Sequence, residues 1–203
     1  MNEKPKIVSP YGRPDDRFGY AVYSCVAFAT PEQQKEVQAL RDAVKAQRSM
    51  MPAHVTVKGT FCEIPSPDRI KALVRQVADT TQAFKAEFAG GIVPGPRYDT
   101  GEGWAGVAVR KTPPLVDLHE RLCDTLAAVT TNAYGPESGD DYHPHVTVIH
   151  EPLPELKPIG KELVAKAKLT GSGFPVQEIW LMGHVGPPYR GTWTTIESFR
   201  LKS

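Results

Sequence analysis

The tetrapeptide His-Val-Thr-Val occurs twice in this sequence of 203 residues, at His54–Val57 and at His145–Val148. A pair of imidazoles suits general acid–base chemistry, because histidine titrates near neutral pH and one ring can accept a proton while the other donates one. A hydroxyl two residues after each imidazole is suited to bind a phosphate oxygen. The repeated pattern therefore predicts acid–base chemistry on a phosphoester.

Each copy lies in a short run of β-branched residues that follows a proline, and this pattern predicts a β-strand for both. Side chains alternate between the two faces of a strand, so the histidine and threonine of each copy share one face and the valines share the other, buried face. We expect His54 and His145 to be the catalytic pair, with Thr56 and Thr147 stabilising charge on the non-bridging phosphate oxygens. The sequence does not say which histidine is the base and which is the acid.

A histidine at the start of a strand can also be structural, with its ring hydrogen-bonded in the core. A single His-x-Thr favours that alternative, whereas two copies at matched positions favour a functional pair. Lys58 shares the predicted face of Thr56, but Ile149 takes its place in the second copy, so we expect a solvent-exposed lysine. His150 has the opposite parity from His145 and is expected to point away from the site.

Zinc binding is the alternative chemistry, since His143, His145 and His150 together resemble a ligand cluster. The predicted orientation of His150 argues against this alternative, and no metal is expected. His143 is placed at the rim of the site. His119 falls beside the apolar stripe of a predicted helix, which favours a partly exposed structural residue, and His184 lies near the final hairpin, within reach of the site.

Three helix starts are marked by a threonine or serine followed by proline, at Thr30, Ser66 and Thr112, and the first two are predicted to be capping residues. Gln33 completes a capping box with Thr30, and the helix that begins at Ser66 is predicted to end near Phe84. We predict further strands at 18–29, 87–93, 104–110, 176–182 and 193–201, a helix near 158–167, a Gly/Pro loop after residue 93 and a polar loop at 132–141.

Helices and strands follow in the same order before and after the middle of the chain, which predicts duplicated βαβ-type units with pseudo-twofold symmetry. The offset between the two tetrapeptides also superposes a Gly-Pro-x-Tyr segment that ends at Tyr98 on one that ends at Tyr189. Both tyrosines are candidates to stack on a base or ribose, with Arg190 or Arg97 near the phosphate. A hairpin turn with an aromatic plug is an equally favoured interpretation of these segments.

Composition restricts the classes of protein that fit. The 24 basic residues nearly balance the 23 acidic ones, so the sequence lacks the broad basic field that a long nucleic acid requires. The three cysteines have no metal-ligand spacing, and no apolar run approaches the roughly 20 residues that span a bilayer. We expect a cytoplasmic monomer that does not contact membranes, with an irregular tail at residues 1–17 and a single bilobed domain at 18–203.

Through these residues the chain resembles the two-histidine (2H) phosphoesterase superfamily, which contains bacterial RNA 2′-5′ ligase-like proteins and 2′,3′-cyclic nucleotide phosphodiesterases. The hallmark of that superfamily is a pair of His-x-Thr/Ser-x motifs about half a chain apart, matched here by His54–Val57 and His145–Val148. The resemblance covers roughly residues 18–201 in element order. It implies a bilobed α+β fold with two antiparallel sheets around a central cleft, helices outside, and no metal or other cofactor.

The resemblance also implies a function. We expect a metal-independent phosphodiesterase that hydrolyses the 2′,3′-cyclic phosphate of nucleotides or RNA ends to a 2′-phosphate, with 2′-5′ RNA ligation as the reverse reaction. The alternative from another class is a binding module that holds a nucleotide or RNA end in the same cleft without turnover. A third interpretation is an enzyme that acts on a phosphoester or cyclic metabolite unrelated to RNA.

Overall fold

The structure is a computed structural model that describes residues 16–45, 51–97, 102–132, 142–152, 169, 171–186 and 191–203. After a 3-10 turn at Asp16–Phe18, the elements in chain order are β1 Val22–Phe28, α1 Pro31–Ala43, β2 His54–Cys62, α2 Pro67–Ala78, β3 Phe84–Arg97, β4 Glu102–Val109, α3 Pro113–Ala127, β5 Thr131–Asn132, β6 His145–Pro152, β7 Gly173–Val176, β8 Glu178–Val185 and β9 Thr192–Arg200. The predicted helix near 158–167 and most of the predicted N-terminal tail lie outside the described residues.

The three helices begin at the predicted residues. Thr30 and Gln33 form the expected capping box, in which each side chain accepts a hydrogen bond from the other residue's backbone N–H. Ser66 caps α2 by accepting from the backbone N–H of Arg69. The end of α2 is a correction, because the helix stops at Ala78 and the predicted last residue, Phe84, starts β3.

The strands form one sheet in the order β7-β3-β4-β6-β2-β1-β8-β9, with β5 paired to β2 at the side. All neighbouring strands of this described sheet run antiparallel. With the helices, this arrangement confirms the predicted α+β class. The prediction of two separate sheets is not confirmed, because β2 and β6 join the two halves through the pair Val55–Val146. The duplication and the bilobed domain stay predictions.

The hydrophobic core covers one face of this sheet. Val55 and Val146 are fully buried, in one cluster with apolar residues of all three helices. Helix α1 contacts β6 and α3 contacts β2, so each motif strand is backed by a helix. The histidines and threonines of the motifs therefore belong to the opposite face of the sheet. The predicted inward stripe of α3 is confirmed by its four fully buried leucines, Leu115, Leu118, Leu122 and Leu126.

A β-bulge interrupts the first motif strand. Thr56 of β2 is paired with Val26 of β1, and Lys58 is paired with Cys25, so that Val57 has no partner in β1. An extra residue in one strand reverses the face on which the following side chain lies. Lys58 therefore shares the core face with Cys25 rather than the face of Thr56.

This bulge corrects the prediction of a solvent-exposed lysine. Lys58 is 1% exposed, and its ammonium donates a hydrogen bond to the side-chain oxygen of Asn132 at 2.6 Å. The ammonium also lies 5.8 Å from the centre of the Phe61 ring. The lysine is thus a buried residue of the core face and does not line the site.

The second motif strand has a bulge at the equivalent residue. In β6, Thr147 is paired with Gly106 and Ile149 with Ala105, so Val148 is the extra residue. Both bulges therefore fall on the last valine of a His-Val-Thr-Val motif.

The bulge in β6 also reverses the prediction for His150. This residue is paired with Trp104, which lies on the same face of β4 as Gly106, the partner of Thr147. His150 consequently shares the face of His145 and Thr147 and does not point away from it. It is 5% exposed.

Candidate active site

The antiparallel junction of β2 and β6 brings the two motifs together. Val55 is paired with Val146, and these valines occupy the same position in their motifs. Continuing this antiparallel register sets the histidine of each motif opposite the threonine of the other. The predicted site residues that share the face away from the core are His54, Thr56, His145 and Thr147.

His54 is held at the buried end of this site. It is 9% exposed, and its Nδ1 lies 2.7 Å from the carbonyl oxygen of Pro52. A carbonyl can only accept, so Nδ1 carries the hydrogen and Nε2 is the proton acceptor of the neutral ring. The ring of Phe28 meets the imidazole edge-on, with 6.3 Å between centroids.

The pKa of His54 is lowered to about 4, mainly because the ring is buried. The hydrogen bond to Pro52 opposes this shift, and the nearby positive charges of His145 and Arg41 contribute to it. The neutral imidazole is therefore the stable form of His54 near pH 7.

His145 has the same backbone anchor and a different neighbour. Its Nδ1 lies 2.8 Å from the carbonyl oxygen of His143, two residues upstream, as in the first motif. The ring is partly exposed and stacks on Trp104, with 3.8 Å between centroids and 10° between planes. An indole face attracts a cation, so this contact favours the imidazolium form.

Gly106 lies between the positions of Trp104 and His145 in the sheet. A Cβ at this glycine would lie 2.4 Å from the carbonyl oxygen of Val146, so the bulge in β6 leaves no room for a side chain. The sequence analysis did not select Trp104 as a site residue. The sequence feature that could have indicated Trp104 is the tryptophan that follows each Gly-Pro-x-Tyr segment, at Trp104 and Trp193.

An apolar cluster flanks His54, which we call the His54-side cluster. Phe28 and Trp180 are both partly exposed and meet edge-to-face, with 5.4 Å between centroids. The register places them beside His54, because Phe28 is paired with His54 and Trp180 with Val26. The cluster consists of Phe28, Trp180, Trp193, Val26, Met51 and Met182. The sequence pattern that could have predicted this cluster is an aromatic residue or a methionine at alternate positions of the predicted strands.

Several predicted site residues fall outside the part of the chain that the structure describes. These are Tyr98, Tyr189 and Arg190. The Gly/Pro loop predicted after residue 93 is wrong in part, because Gly95 and Pro96 are paired with Trp104 and Gly103 in the hairpin of β3 and β4. Both interpretations of the Gly-Pro-x-Tyr segments stay open.

Two other histidines are buried. His119 was expected to be partly exposed, but it is 1% exposed, and its ring stacks on Tyr142 with 3.8 Å between centroids. It is buried because α3 packs directly on β2, where Nδ1 of His119 lies 3.1 Å from the carbonyl oxygen of Val57. His184 packs edge-on against Trp193 within β8 and β9.

The zinc alternative gains no support from the geometry. His150 lies on the same face as His145, but the side chain of His143 is exposed. Among the described residues, no group of three His, Cys, Asp or Glu side chains is placed to hold a metal ion.

Residues 19–188 match the 2′-5′ RNA ligase superfamily. The chain belongs to this family, and the predicted membership of the 2H phosphoesterase superfamily is confirmed. This superfamily consists of phosphoesterases and ligases, which supports enzymatic activity of a phosphodiesterase or RNA ligase-like kind. No curated protein sequence matches the chain.

Solved structures with low sequence identity share the fold. The protein TT0787 of Thermus thermophilus is 19% identical, with a TM-score of 0.59 over 89% of this chain and 97% of that one. LigT of E. coli, solved in complex with 3′-AMP, is 16% identical, with a TM-score of 0.53 over 89% and 97% of the two chains. Usb1 of Kluyveromyces marxianus is 12% identical, with a TM-score of 0.51 over 88% and 99%.

In the described residues, no helix has the length and apolar character needed to cross a membrane.

Proposed function

We propose that this protein is a metal-independent phosphodiesterase that hydrolyses the 2′,3′-cyclic phosphate of a nucleotide or RNA end and leaves a 2′-phosphate. The observation that carries the proposal is the pairing of Val55 with Val146, because its register gathers two imidazoles and two hydroxyls on one face of the sheet. Two such imidazoles supply the base and the acid that hydrolysis of a phosphodiester needs. The membership of the 2H phosphoesterase superfamily supports the same chemistry.

The different surroundings of the two histidines support different roles for them. His54 is buried and neutral, so its Nε2 accepts a proton from water as the water oxygen bonds to phosphorus. His145 is partly exposed and stacks on Trp104, a contact that favours a cation. In the proposed mechanism its imidazolium gives a proton to the ribose 3′ oxygen as the bond from phosphorus to that oxygen breaks. The 2′ ester bond stays intact, which leaves a 2′-phosphate. In the ligation direction the two roles exchange.

The threonines act on the phosphate itself. Thr56 and Thr147 are partly exposed on the same face as the histidines. Their hydroxyls donate to the non-bridging oxygens, where negative charge increases as the pentacoordinate state forms. The bound phosphate also raises the pKa of His54 from its low value, because a nearby anion favours imidazolium. A stronger base is thus obtained only when substrate is present.

A small nucleotide or a single RNA end fits this site better than a long strand. The nearly balanced charge of the chain offers little attraction to an extended phosphate backbone. The partly exposed Phe28 and Trp180 next to His54 offer a surface on which one base can stack. LigT, a protein of the same fold, has been solved with 3′-AMP, with ATP and with NADP+.

The first test is hydrolysis of 2′,3′-cyclic nucleotides in excess EDTA by the wild type, His54→Ala and His145→Ala. We expect turnover that survives chelation and falls by about 10²–10⁴-fold in each variant, the range for loss of a general acid or base. His143→Ala is the matched control, because that side chain is exposed and only its carbonyl anchors His145.

Three results would contradict the proposal. Nucleotide binding by a folded wild type without turnover would favour the binding module. Activity lost to EDTA and restored by zinc would reinstate the metal alternative. If the protein turns over only phosphoesters unrelated to nucleotides, the proposed substrate class is wrong.

A further inference from the structure

The two halves of the site meet through very little backbone. In the described residues, β2 and β6 are paired at one position, Val55 with Val146, whereas β4 and β6 are paired along most of their length. Such a short junction leaves the distance between His54 and His145 weakly fixed by the backbone alone. Side chains connect the halves in addition, among them Arg41 and Tyr142.

Arg41 reaches from α1 to both halves. Its Nε donates a hydrogen bond of 2.7 Å to the carbonyl oxygen of Val148, the bulged residue of β6. One terminal nitrogen lies 3.4 Å from the carbonyl oxygen of Thr147 and 3.4 Å from that of Met51, shortly before β2. The guanidinium therefore ties the bulge of the second motif strand to the segment that leads into the first.

Tyr142 makes the reciprocal connection. It lies just before β6, and its hydroxyl donates a hydrogen bond of 2.7 Å to the carbonyl oxygen of Thr56 in β2. The side chain is 9% exposed, and its ring is fixed by the stack on His119. His119 in turn lies 3.1 Å from the carbonyl oxygen of Val57, the bulged residue of β2.

The bulges explain why these carbonyls are available. An extra residue interrupts the regular hydrogen bonds of a strand, and buried carbonyls at that point need other donors. For the carbonyls of Thr56, Val57, Thr147 and Val148 described above, the donors come from residues attached to the other half. The same contacts that satisfy the bulges therefore also hold the halves together.

We infer that Arg41 and Tyr142 are positioning residues that set the spacing of His54 and His145, an inference that rests on the proposed function. Neither side chain acts on the phosphate. They act through the backbone of Thr56 and Thr147, whose hydroxyls are proposed to hold the phosphate between the imidazoles. A displacement of about 1 Å in such a site can cost on the order of 10²-fold in rate.

Tyr142→Phe is the sharpest variant, because it removes one hydroxyl and keeps the ring on His119. Arg41→Met removes the charge and all three hydrogen bonds. Arg41→Lys keeps a positive charge but loses the guanidinium geometry that spans several carbonyls. We expect kcat to fall by about 10-fold or more in each, with a smaller change in KM, because the phosphate-binding hydroxyls remain.

Two matched controls test the same substitutions elsewhere. Tyr20→Phe alters a ring that packs on Gly183 in β8. Arg121→Lys alters a guanidinium that hydrogen-bonds the carbonyl of Val77 and the hydroxyl of Thr81, between α2 and α3. Both controls are expected to keep wild-type kcat, and thermal unfolding identifies any variant that is not folded.

The imidazole NMR signals of His54 and His145 give a readout that does not depend on turnover. In Tyr142→Phe we expect the signals of both histidines to move, although the hydroxyl contacts neither ring. Unchanged signals of both histidines in Tyr142→Phe and Arg41→Met would overturn the inference. It would also be overturned by a loss of kcat without any change in the signals, or by a wild-type kcat in both variants. A wild type without turnover on cyclic nucleotides would refute the proposed function, and the signals would still decide whether the spacing depends on these residues.

Discussion

The two halves of the site carry the same tetrapeptide in different surroundings. His54 is 9% exposed and meets Phe28 edge-on, whereas His145 is partly exposed and lies flat on Trp104. Both rings are anchored through Nδ1 to a carbonyl two residues upstream, so the anchor is not the source of the difference. Identical motifs can thus acquire different chemical roles from their neighbours, because burial favours a neutral ring and an indole face favours a charged one.

The largest expected effect separates the base from the acid by the choice of leaving group. Both His54→Ala and His145→Ala should lose about 10²–10⁴-fold on a cyclic nucleotide, whose ribose leaving group needs a proton. Nitrophenolate is a leaving group that departs from a phosphodiester without needing a proton. On that substrate His145→Ala should recover most of its activity, and His54→Ala should not.

The measurement is kcat/KM of both variants on the two substrates. If His54→Ala recovers its activity on the nitrophenyl substrate and His145→Ala does not, His54 is the acid and His145 is the base. Recovery of neither variant would mean that both imidazoles do more than transfer a proton to or from the reacting oxygens.

Substitution of either threonine should lower turnover less than loss of a histidine does, and by a similar factor at both positions. Thr56→Val and Thr147→Val each remove a hydroxyl that is proposed to donate to the developing charge, and we expect turnover to fall by roughly 10²-fold in either variant. Thr→Ser at the same positions keeps the hydroxyl and is the matched control. Wild-type rates in both valine variants would reduce the threonines to strand formers.

The sequence allowed the arrangement of the motif residues on one face to be predicted, because a strand motif determines which side chains share a face as long as the alternation is regular. The repeated tetrapeptide predicted that His54 and His145 share one face of the sheet, and their role in catalysis stays a prediction. A threonine or serine followed by proline located the starts of the helices. These are local signals, and each has a direct structural cause.

The errors at Lys58 and His150 have a common physical cause. The bulges at Val57 and Val148 reverse the alternation that follows, which buried Lys58 and turned His150 to the face of His145. Neither bulge has a residue signature in this sequence, because a valine in a bulge looks like any strand valine. The contact of Trp104 with His145 was equally out of reach, since it joins two strands that are distant in the sequence.

The contrast in burial predicts a dependence of stability on pH. The pKa of His54 is lowered from 6.5 to about 4, so between these values the unfolded chain binds a proton that the folded protein does not. Stability should therefore fall as the pH decreases from about 6.5 to about 4, by on the order of 3 kcal/mol, with no further contribution from this group below that range.

Urea unfolding at several pH values measures this effect. His54→Asn removes the titrating group and should flatten the dependence, while His143→Asn, at an exposed histidine, should keep it. An equal slope in the wild type and His54→Asn would show that His54 is not held neutral by burial.

The smallest expected effect concerns the indole beneath His145. A cation on an aromatic face gains about 0.5–1 kcal/mol, so Trp104→Leu should lower kcat by only about 2–5-fold. Acid–base catalysis by two histidines should give a bell-shaped pH–rate profile. Because this variant stabilises the imidazolium less, the alkaline limb of that profile should move to lower pH, and Trp104→Phe should largely restore it. Trp180→Leu is the control on the other half of the site. It removes a ring beside His54 and should raise KM for nucleotides without moving the alkaline limb.

Two results would contradict this prediction, a shift of the alkaline limb in Trp180→Leu or no shift of that limb in Trp104→Leu. Either result would mean that the difference between the two histidines has a cause other than their aromatic neighbours.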